Sequence, residues 1–198
     1  MRLHAALEEV FSTRTGLRVL RILVSFPDRT WTGRELATAA NSSPPQTLQA
    51  LKQLERAGLV GRVTAGRAHL WHLAREHVLV SAVRSLFAFE AGLPDAFLHD
   101  LRAALKPLPL LRATLFGSVA RRTETGDSDV DLYLELNDSA TEEKVQAALT
   151  PIVVAFIRKY GLVLTPILHS TRTPRGPPNP DLMRSIEQEG VQLLEEVA

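Results

Sequence analysis

Two apolar runs, joined by a glycine turn and a pair of closely spaced aspartates, constrain the fold of this chain most strongly. The first run, 110–116, leads into Gly117, and the second, 130–136, carries Asp131 onward from Asp129. Short apolar runs bounded by turn residues are typical of β-strands. In an extended strand, residues i and i+2 point to the same face. Asp129 and Asp131 are therefore expected to lie side by side.

Two neighbouring carboxylates repel each other unless a cation lies between them. Mg²⁺ is suited to this position, because it binds one or two carboxylates together with substrate phosphates. The Gly117-Ser118 turn opens a predicted helix, whose first backbone N–H groups favour phosphate. A phosphate-binding turn beside metal-binding carboxylates is what nucleotidyl transfer needs. The alternative is an ordinary β-turn followed by an acidic loop.

The pattern Gly-Ser-x-Ala-Arg, a short loop and Ser-Asp-x-Asp-Leu resembles the signature of the DNA polymerase β-like nucleotidyltransferases, and of their minimal, antitoxin-type members in particular. The resemblance covers residues 108–192, and its matching positions are Gly117, Ser118, Ala120, Arg121, Ser128, Asp129, Asp131 and Leu132. It implies that Asp129 and Asp131 are catalytic and bind Mg²⁺. It also implies a nucleoside triphosphate, with ATP favoured, at Gly117, Ser118, Arg121 and Ser128.

Two departures from the family pattern bear on activity. The family usually has a third carboxylate on the next core strand, but the candidate strand, 162–169, contains no Asp or Glu near the aligned positions 163–165. Glu135 shares the face of the aspartates, yet it lies four residues beyond Asp131 and is interpreted as a strand-end residue. Without the third carboxylate, the site should hold the catalytic metal less well and lack a base. The second departure is Arg122, where the family often has Gly.

Three functional hypotheses follow. The chain could transfer a nucleoside monophosphate from a nucleoside triphosphate to an unknown hydroxyl. It could instead be a transcription regulator that senses nucleotide without turnover, which the missing carboxylate favours. The resemblance implies a third role as an antitoxin, since minimal nucleotidyltransferases are often paired with a helical HEPN toxin, a possible protein acceptor.

The two halves of the chain differ in charge. Residues 1–92 hold 12 Lys/Arg and 7 Asp/Glu, a net charge of +5, whereas residues 93–198 hold 11 and 15, a net charge of −4. A basic half is a reason to look for nucleic acid at the N-terminal end, although ordinary surface charge would also explain it.

The N-terminal pattern predicts helices from Thr15 or Gly16 to Ser25, over 33–40 with a Thr32/Glu35 capping box, and from Ser43 to Ala57, then a hairpin over 59–72. This order resembles the winged helix-turn-helix of MarR- and ArsR-like regulators over residues 12–75. On the third helix, Leu48, Leu51 and Leu54 are expected to be buried. The predicted contacts to double-stranded DNA are Gln46, Gln49, Lys52, Gln53, Arg62 and Arg67. A winged helix used for protein contacts is the alternative.

The whole pattern predicts an α+β chain: a winged helix-turn-helix domain (1–76), linker or dimerisation helices (77–106), and a small nucleotidyltransferase domain (107–198) with a mixed β-sheet flanked by helices. The apolar helix from His77 is expected to break at Gly92–Pro94, and the helix 141–160 to kink or split at Pro151. Asp181 is expected to cap the last helix. A homodimer is expected, with the apolar helix as one possible seam.

Composition excludes several classes of protein. There are no cysteines, so disulfides and Cys-based zinc sites are impossible. The apolar stretches are far shorter than a membrane span, and the N-terminus lacks a signal-peptide pattern. These features predict a cytoplasmic protein without a membrane partner.

Overall fold

The computed structural model describes residues 6–66, 68–137, 140–170 and 179–195. The chain divides into two compact units, the first ending at Gly92 and the second beginning at Leu93. Each unit has its own sheet and its own core. The predicted α+β class is therefore confirmed. No helix within the described ranges is long and apolar enough to cross a membrane.

Unit one is a helical layer beside a small antiparallel sheet in the order β1-β3-β2. Its elements are α1 (Ala6–Val10), α2 (Arg14–Ser25), β1 (Trp31–Thr32), α3 (Gly33–Ala39), α4 (Pro44–Arg56), β2 (Val60–Ala65), β3 (Ala68–Leu73) and the first part of α5 (Val78–Leu105). The Thr32/Glu35 capping box is confirmed at the start of α3, since each side chain accepts a hydrogen bond from the other residue's backbone N–H. The predicted three helices and hairpin are therefore present.

The core of unit one forms where α2 packs against α4. Leu20 and Leu23 of α2 and Leu51 of α4 are fully buried, and Trp71 of β3 closes the other side. The prediction that Leu48 is buried is wrong, because its side chain is 44% exposed. The buried stripe of α4 instead runs through Thr47, Ala50, Leu51 and Leu54, and successive residues are rotated by about 100°, so Leu48 turns outward.

Unit two is a four-stranded mixed sheet in the order β6-β5-β4-β7. Its elements are the rest of α5, then β4 (Leu110–Phe116), α6 (Gly117–Ala120), β5 (Val130–Leu136), α7 (Glu142–Tyr160), β6 (Leu164–Ser170), α8 (Pro180–Glu189) and β7 (Val191–Glu195). β5 and β6 are parallel, and α7 is the helical crossover that a parallel pair requires. β4 pairs antiparallel with β5 and β7.

The two faces of β5 have different neighbours. Leu132 and Leu134 point into the main core of unit two, which also contains buried residues of α5 and α7. Tyr133, on the opposite face, is buried with Phe116 and with Ile186 of α8. Asp129 and Asp131 follow the parity of Tyr133 and therefore lie on the α8 side of the sheet.

Several helix boundaries differ from the prediction. α5 runs unbroken through Gly92 and Pro94. A proline costs the helix one hydrogen bond, to the carbonyl four residues earlier, and burial of Val83 before it and Leu101 after it anchors both ends of the helix. α7 likewise continues through Pro151 without splitting.

The last helix is capped by Asn179 rather than by Asp181. The side-chain oxygen of Asn179 accepts a hydrogen bond from the backbone N–H of Asp181 at 2.9 Å. Asn is as good an N-cap as Asp, and Pro180 suits the first helical position. β7 was not predicted either, because its partner strand β4 lies far away in the chain.

Candidate functional site

The carboxylates lie where β5 begins, beside the turn that ends β4. Phe116, the last residue of β4, pairs with Asp131, so the turn at Gly117 is brought directly against the aspartate. Val130 is fully buried in the core. Because Val130 fixes the strand, the side chains of Asp129 and Asp131 are held on the opposite face.

Gly117 is required by this close approach. Its φ is +77°, in the left-handed region that glycine adopts without a steric penalty. A Cβ built at this position would also overlap Oδ2 of Asp131. The turn thus brings backbone against a carboxylate, which any side chain at residue 117 would prevent.

The electrostatics of the pair are unfavourable without a cation. Partial burial raises the pKa of Asp131 above its ordinary value, the charge of Asp129 raises it further, and Arg121 acts in the opposite direction. Asp129 is more exposed, and its Oδ2 accepts a hydrogen bond from Thr165 Oγ1 at 3.4 Å. A cation bound between the carboxylates would relieve the repulsion.

Thr165 lies on the neighbouring strand beside the two aspartates. Across the parallel pair β5/β6, Asp131 is in register with Thr165, and Val130 with Leu164. The residue opposite the aspartates therefore offers a hydroxyl and not a carboxylate. Among the described residues, no group of three or more His, Cys, Asp or Glu side chains is arranged to hold a metal ion.

Glu135 lies at a different level of the sheet. It is in register with Arg112 of β4 and His169 of β6, and buried Tyr133 separates it from Asp131 along the strand. Its carboxylate thus has basic neighbours on both adjacent strands and does not belong to the aspartate pair.

The other residues assigned to nucleotide binding have structural partners of their own. Arg121 Nη1 donates to Glu189 Oε2 of α8 at 2.9 Å. Ser128 Oγ accepts a hydrogen bond from the backbone N–H of Thr125 at 2.9 Å and so orders the loop before Asp129. The backbone carbonyl of Ser118 accepts from the N–H of Thr123 at 2.9 Å, and the half-buried Ser118 side chain lies beside Gly117.

This donor set fits a hard divalent cation. Mg²⁺ accepts two protein carboxylates when phosphate oxygens and water complete its shell, and Asp129 and Asp131 supply two carboxylates on one face. With a bound triphosphate, such an ion would neutralise the charge on the phosphates. Thr165 adds a neutral oxygen but cannot accept a proton as a base.

The residues assigned to DNA lie in unit one. Gln46, Gln49 and Lys52 are exposed on α4, whereas Gln53 is half-buried and accepts a hydrogen bond from Ser12 Oγ at 3.2 Å. Arg62 Nε lies 3.2 Å from Glu55 Oε1. Arg67 lies outside the described residues. The outer surface of α4 therefore presents the exposed side chains of Gln46, Gln49 and Lys52, together with Leu48.

Two features near the candidate sites were not predicted from the sequence. Glu189, the partner of Arg121, follows 68 residues later, and only the packing of α8 against the sheet brings them together. Leu48 was assigned to the core because leucines at i, i+3 and i+6 were taken as one face. The buried face instead includes Thr47, which hydrogen-bonds Ser42 at 2.6 Å.

Residues 98–189 match the family model of the nucleotidyltransferase domain. The search of curated proteins gave no match. Among solved structures, the chain is similar to a variant of ZitR from Lactococcus lactis, with 22% identity, a TM-score of 0.35 and coverage of 44% of this chain and 57% of that chain. It is also similar to the MarR family transcriptional regulator SPO1453 from Silicibacter pomeroyi DSS-3, with 24% identity, a TM-score of 0.35 and coverage of 42% and 61%.

The chain spans less than two thirds of the length of these two proteins, 57% and 61%. The winged-helix assignment therefore rests on the elements of unit one itself. Unit one has the three helices and the hairpin expected of a winged helix-turn-helix, and residues 98–189 match the nucleotidyltransferase domain model.

Proposed function

We propose that this protein is a DNA-binding regulator whose C-terminal domain binds Mg²⁺ and a nucleoside triphosphate, and transfers the nucleotide slowly or not at all. The register of Thr165 with Asp131 supports this proposal most strongly. The aspartate pair would hold the metal, while Thr165 on the neighbouring strand cannot act as a general base.

For nucleotide binding, the triphosphate would lie at the Gly117-Ser118 turn. Asp129 and Asp131 would hold the Mg²⁺, and Arg121, held by Glu189, would lie close enough to stabilise a phosphate. ATP is the expected nucleotide. Calorimetry with Mg²⁺ and ATP should give binding that is lost when Asp129→Asn and Asp131→Asn are combined. Asp127→Asn, a change to an exposed carboxylate of the same loop, is the matched control and should bind as the wild type does. Equal Mg²⁺-dependent binding by all three proteins would contradict the proposal.

For turnover, a positioned base typically contributes about 10²–10⁴-fold in rate. Thr165→Asp places a carboxylate in register with Asp131 and should raise transfer of an α-phosphate label from ATP to acceptors in cell extract. Thr165→Asn, similar in size but uncharged, is the control and should stay as slow as the wild type. Rapid transfer by the unmodified protein would show that its base lies elsewhere.

For DNA, the exposed glutamines of α4 support recognition of a duplex. Glutamine can make two hydrogen bonds to adenine in the major groove, and residues near the start of a recognition helix meet the base edges. Lys52, Arg62 and Arg67 would contact phosphates. Arg62 would then exchange its ion pair with Glu55 for a contact with a phosphate. Selection from random duplexes should yield one sequence, expected to be a palindrome. If all duplexes bind equally, α4 does not read sequence.

A homodimer fits a palindromic site. On α5, Leu86 is 51% exposed and Phe89 is 69% exposed, an apolar surface on which a second copy could pack. Light scattering should give a dimer mass for the wild type and a monomer mass for Phe89→Glu. The antitoxin role and a toxin partner stay predictions of the sequence.

A further inference from the structure

The outer surface of α4 contains an apolar side chain where a DNA-reading helix would meet the bases. Leu48 is 44% exposed and is the fifth residue of the helix. Single exposed leucines are common and need no explanation by themselves. This one, however, shares a groove on the exposed side of α4 with Gln49 and Lys52, which are proposed to contact DNA.

Leu48 shares a shallow groove with its neighbours on α4. The groove measures about 330 Å³, and Pro45, Gln49 and Lys52 contribute to it beside Leu48. An apolar patch, an amide and an ammonium group are thus presented together within two helical turns.

The first turn of α4 favours recognition by side chains. Pro44 and Pro45 occupy its first two positions and have no N–H to donate to a phosphate. The N-cap residue Ser43 makes no side-chain capping hydrogen bond. Pro45 and Leu48, one helical turn apart, instead form a small apolar surface.

The major groove offers one apolar group that such a surface would recognise. Thymine alone among the four DNA bases presents a methyl group there, and adenine presents the donor and acceptor that match a glutamine amide. A leucine beside a glutamine therefore matches a base-pair step in which a thymine and an adenine are adjacent.

We propose that Leu48 reads the 5-methyl group of a thymine next to the base that Gln49 reads. The inference rests on the proposed DNA binding through α4 and adds the chemical identity of one operator base. It makes Leu48 a residue that determines specificity rather than a core residue.

Deoxyuridine provides the test, because it removes the methyl group and keeps every hydrogen bond of the base pair. The full chain is first used to select a duplex. Each thymine is then replaced singly by deoxyuridine, and Kd is measured at fixed salt. One thymine in each half-site should be sensitive, and replacing either one should weaken wild-type binding about 3–5-fold, as loss of one buried methyl group predicts. Leu48→Ala should bind the selected duplex more weakly and lose this difference between thymine and deoxyuridine.

Val154→Ala is the matched control, since Val154 is a similarly exposed apolar residue, 41%, on a helix of unit two. It should keep the full sensitivity to deoxyuridine. Circular dichroism should show unchanged helix content for Leu48→Ala, because the residue is exposed and alanine favours helix.

The outcomes separate the two proposals. If a duplex is selected but no deoxyuridine weakens binding, or if Leu48→Ala stays sensitive, the inference about Leu48 is wrong while DNA binding stands. If no duplex is selected, DNA binding itself fails, and a protein-binding role for α4 takes its place.

Discussion

The outer face of α4 and the aspartate pair of β5 differ in how stable each is without a ligand. Gln49 and Lys52 project into water from a regular helix, so nothing in unit one depends on what they bind. Asp131 is partly buried beside Asp129, and burial and the neighbouring charge raise its pKa. A surface built on exposed side chains can change without cost to folding, whereas a site built on two like charges exchanges stability for binding.

Among the substitutions that test this comparison, Gly117→Ala should have the largest effect, because it changes both the stability of unit two and the aspartate site. Alanine at φ +77° is strained, and its Cβ would displace the carboxylate of Asp131. We expect a loss of about 2–3 kcal/mol in the stability of unit two and no measurable Mg²⁺-dependent nucleotide binding. Gly126→Ala is the control, since a Cβ there meets nothing within 4 Å.

The aromatic residues allow the two units to be followed separately. Trp31 and Trp71 both lie in unit one, and Tyr133 and Tyr160 both lie in unit two. In a urea titration, far-UV circular dichroism should show an earlier transition for Gly117→Ala, while tryptophan emission should stay as in the wild type. A shift in the tryptophan transition of the same size would contradict a local effect.

Gln49→Ala on α4 should weaken DNA binding without changing stability, in contrast to Gly117→Ala. Loss of a base contact should cost about 1–3 kcal/mol at a single base pair, measured as Kd for the selected duplex and its single-base variants. The free energy of unfolding should stay within about 0.5 kcal/mol of the wild type, as for most surface substitutions. If binding weakens uniformly for all variants, Gln49 only positions the protein.

Asp131→Asn should stabilise the metal-free protein at neutral pH by about 0.5–2 kcal/mol. The raised pKa means that the folded state holds the proton of Asp131 more tightly than the unfolded state does. The charged carboxylate therefore destabilises the fold above this raised pKa. Below the unfolded value of about 3.9, Asp131 is protonated in both states and the penalty disappears.

The measurement is urea unfolding of both proteins from pH 7 downward. The advantage of Asp131→Asn should shrink as the pH falls, and saturating Mg²⁺ with nucleotide should reverse it in favour of the wild type. An advantage that does not change with pH would mean that charge is not its cause.

Local patterns were enough to predict the parts of both sites that depend on neighbouring residues. The alternation of a strand put Asp129 and Asp131 on one face, and the capping box set the start of α3. Neither inference needs knowledge of what packs against the segment. For the same reason, the α4 boundaries were predicted to within one residue, from prolines at one end and a glycine at the other.

Features that depend on distant packing were not predictable in this way. Leu48 lies at the edge of the buried stripe of α4, where a rotation of one residue decides between core and solvent. Whether Val163 or Thr165 faces Asp131 depends on the parallel register of β5 and β6, and β7 is a strand only because β4 has an edge to pair with.

A substitution of Arg122 should have the smallest effect on stability. The same helix-end motif occurs in both units, which allows Arg122 to be compared with Asn41. α6 ends in a Schellman motif, in which the N–H of Thr123 bonds the carbonyl of Ser118 at 2.9 Å and the N–H of Arg122 bonds that of Val119 at 3.2 Å. Arg122 has φ +59°. In unit one, α3 ends with the same pair of bonds, but there Asn41 takes the left-handed position at φ +46°, which Asn tolerates better than Arg.

Arg122→Gly should therefore stabilise unit two by about 0.5–1 kcal/mol, because glycine adopts this conformation without a steric penalty. Arg122→Ala is the matched control, since it removes the same side chain but keeps the Cβ. Urea unfolding followed by circular dichroism should place the glycine variant above the wild type and the alanine variant at or below it. If both variants gain stability equally, the benefit comes from losing the arginine side chain, and the left-handed backbone at residue 122 carries no strain.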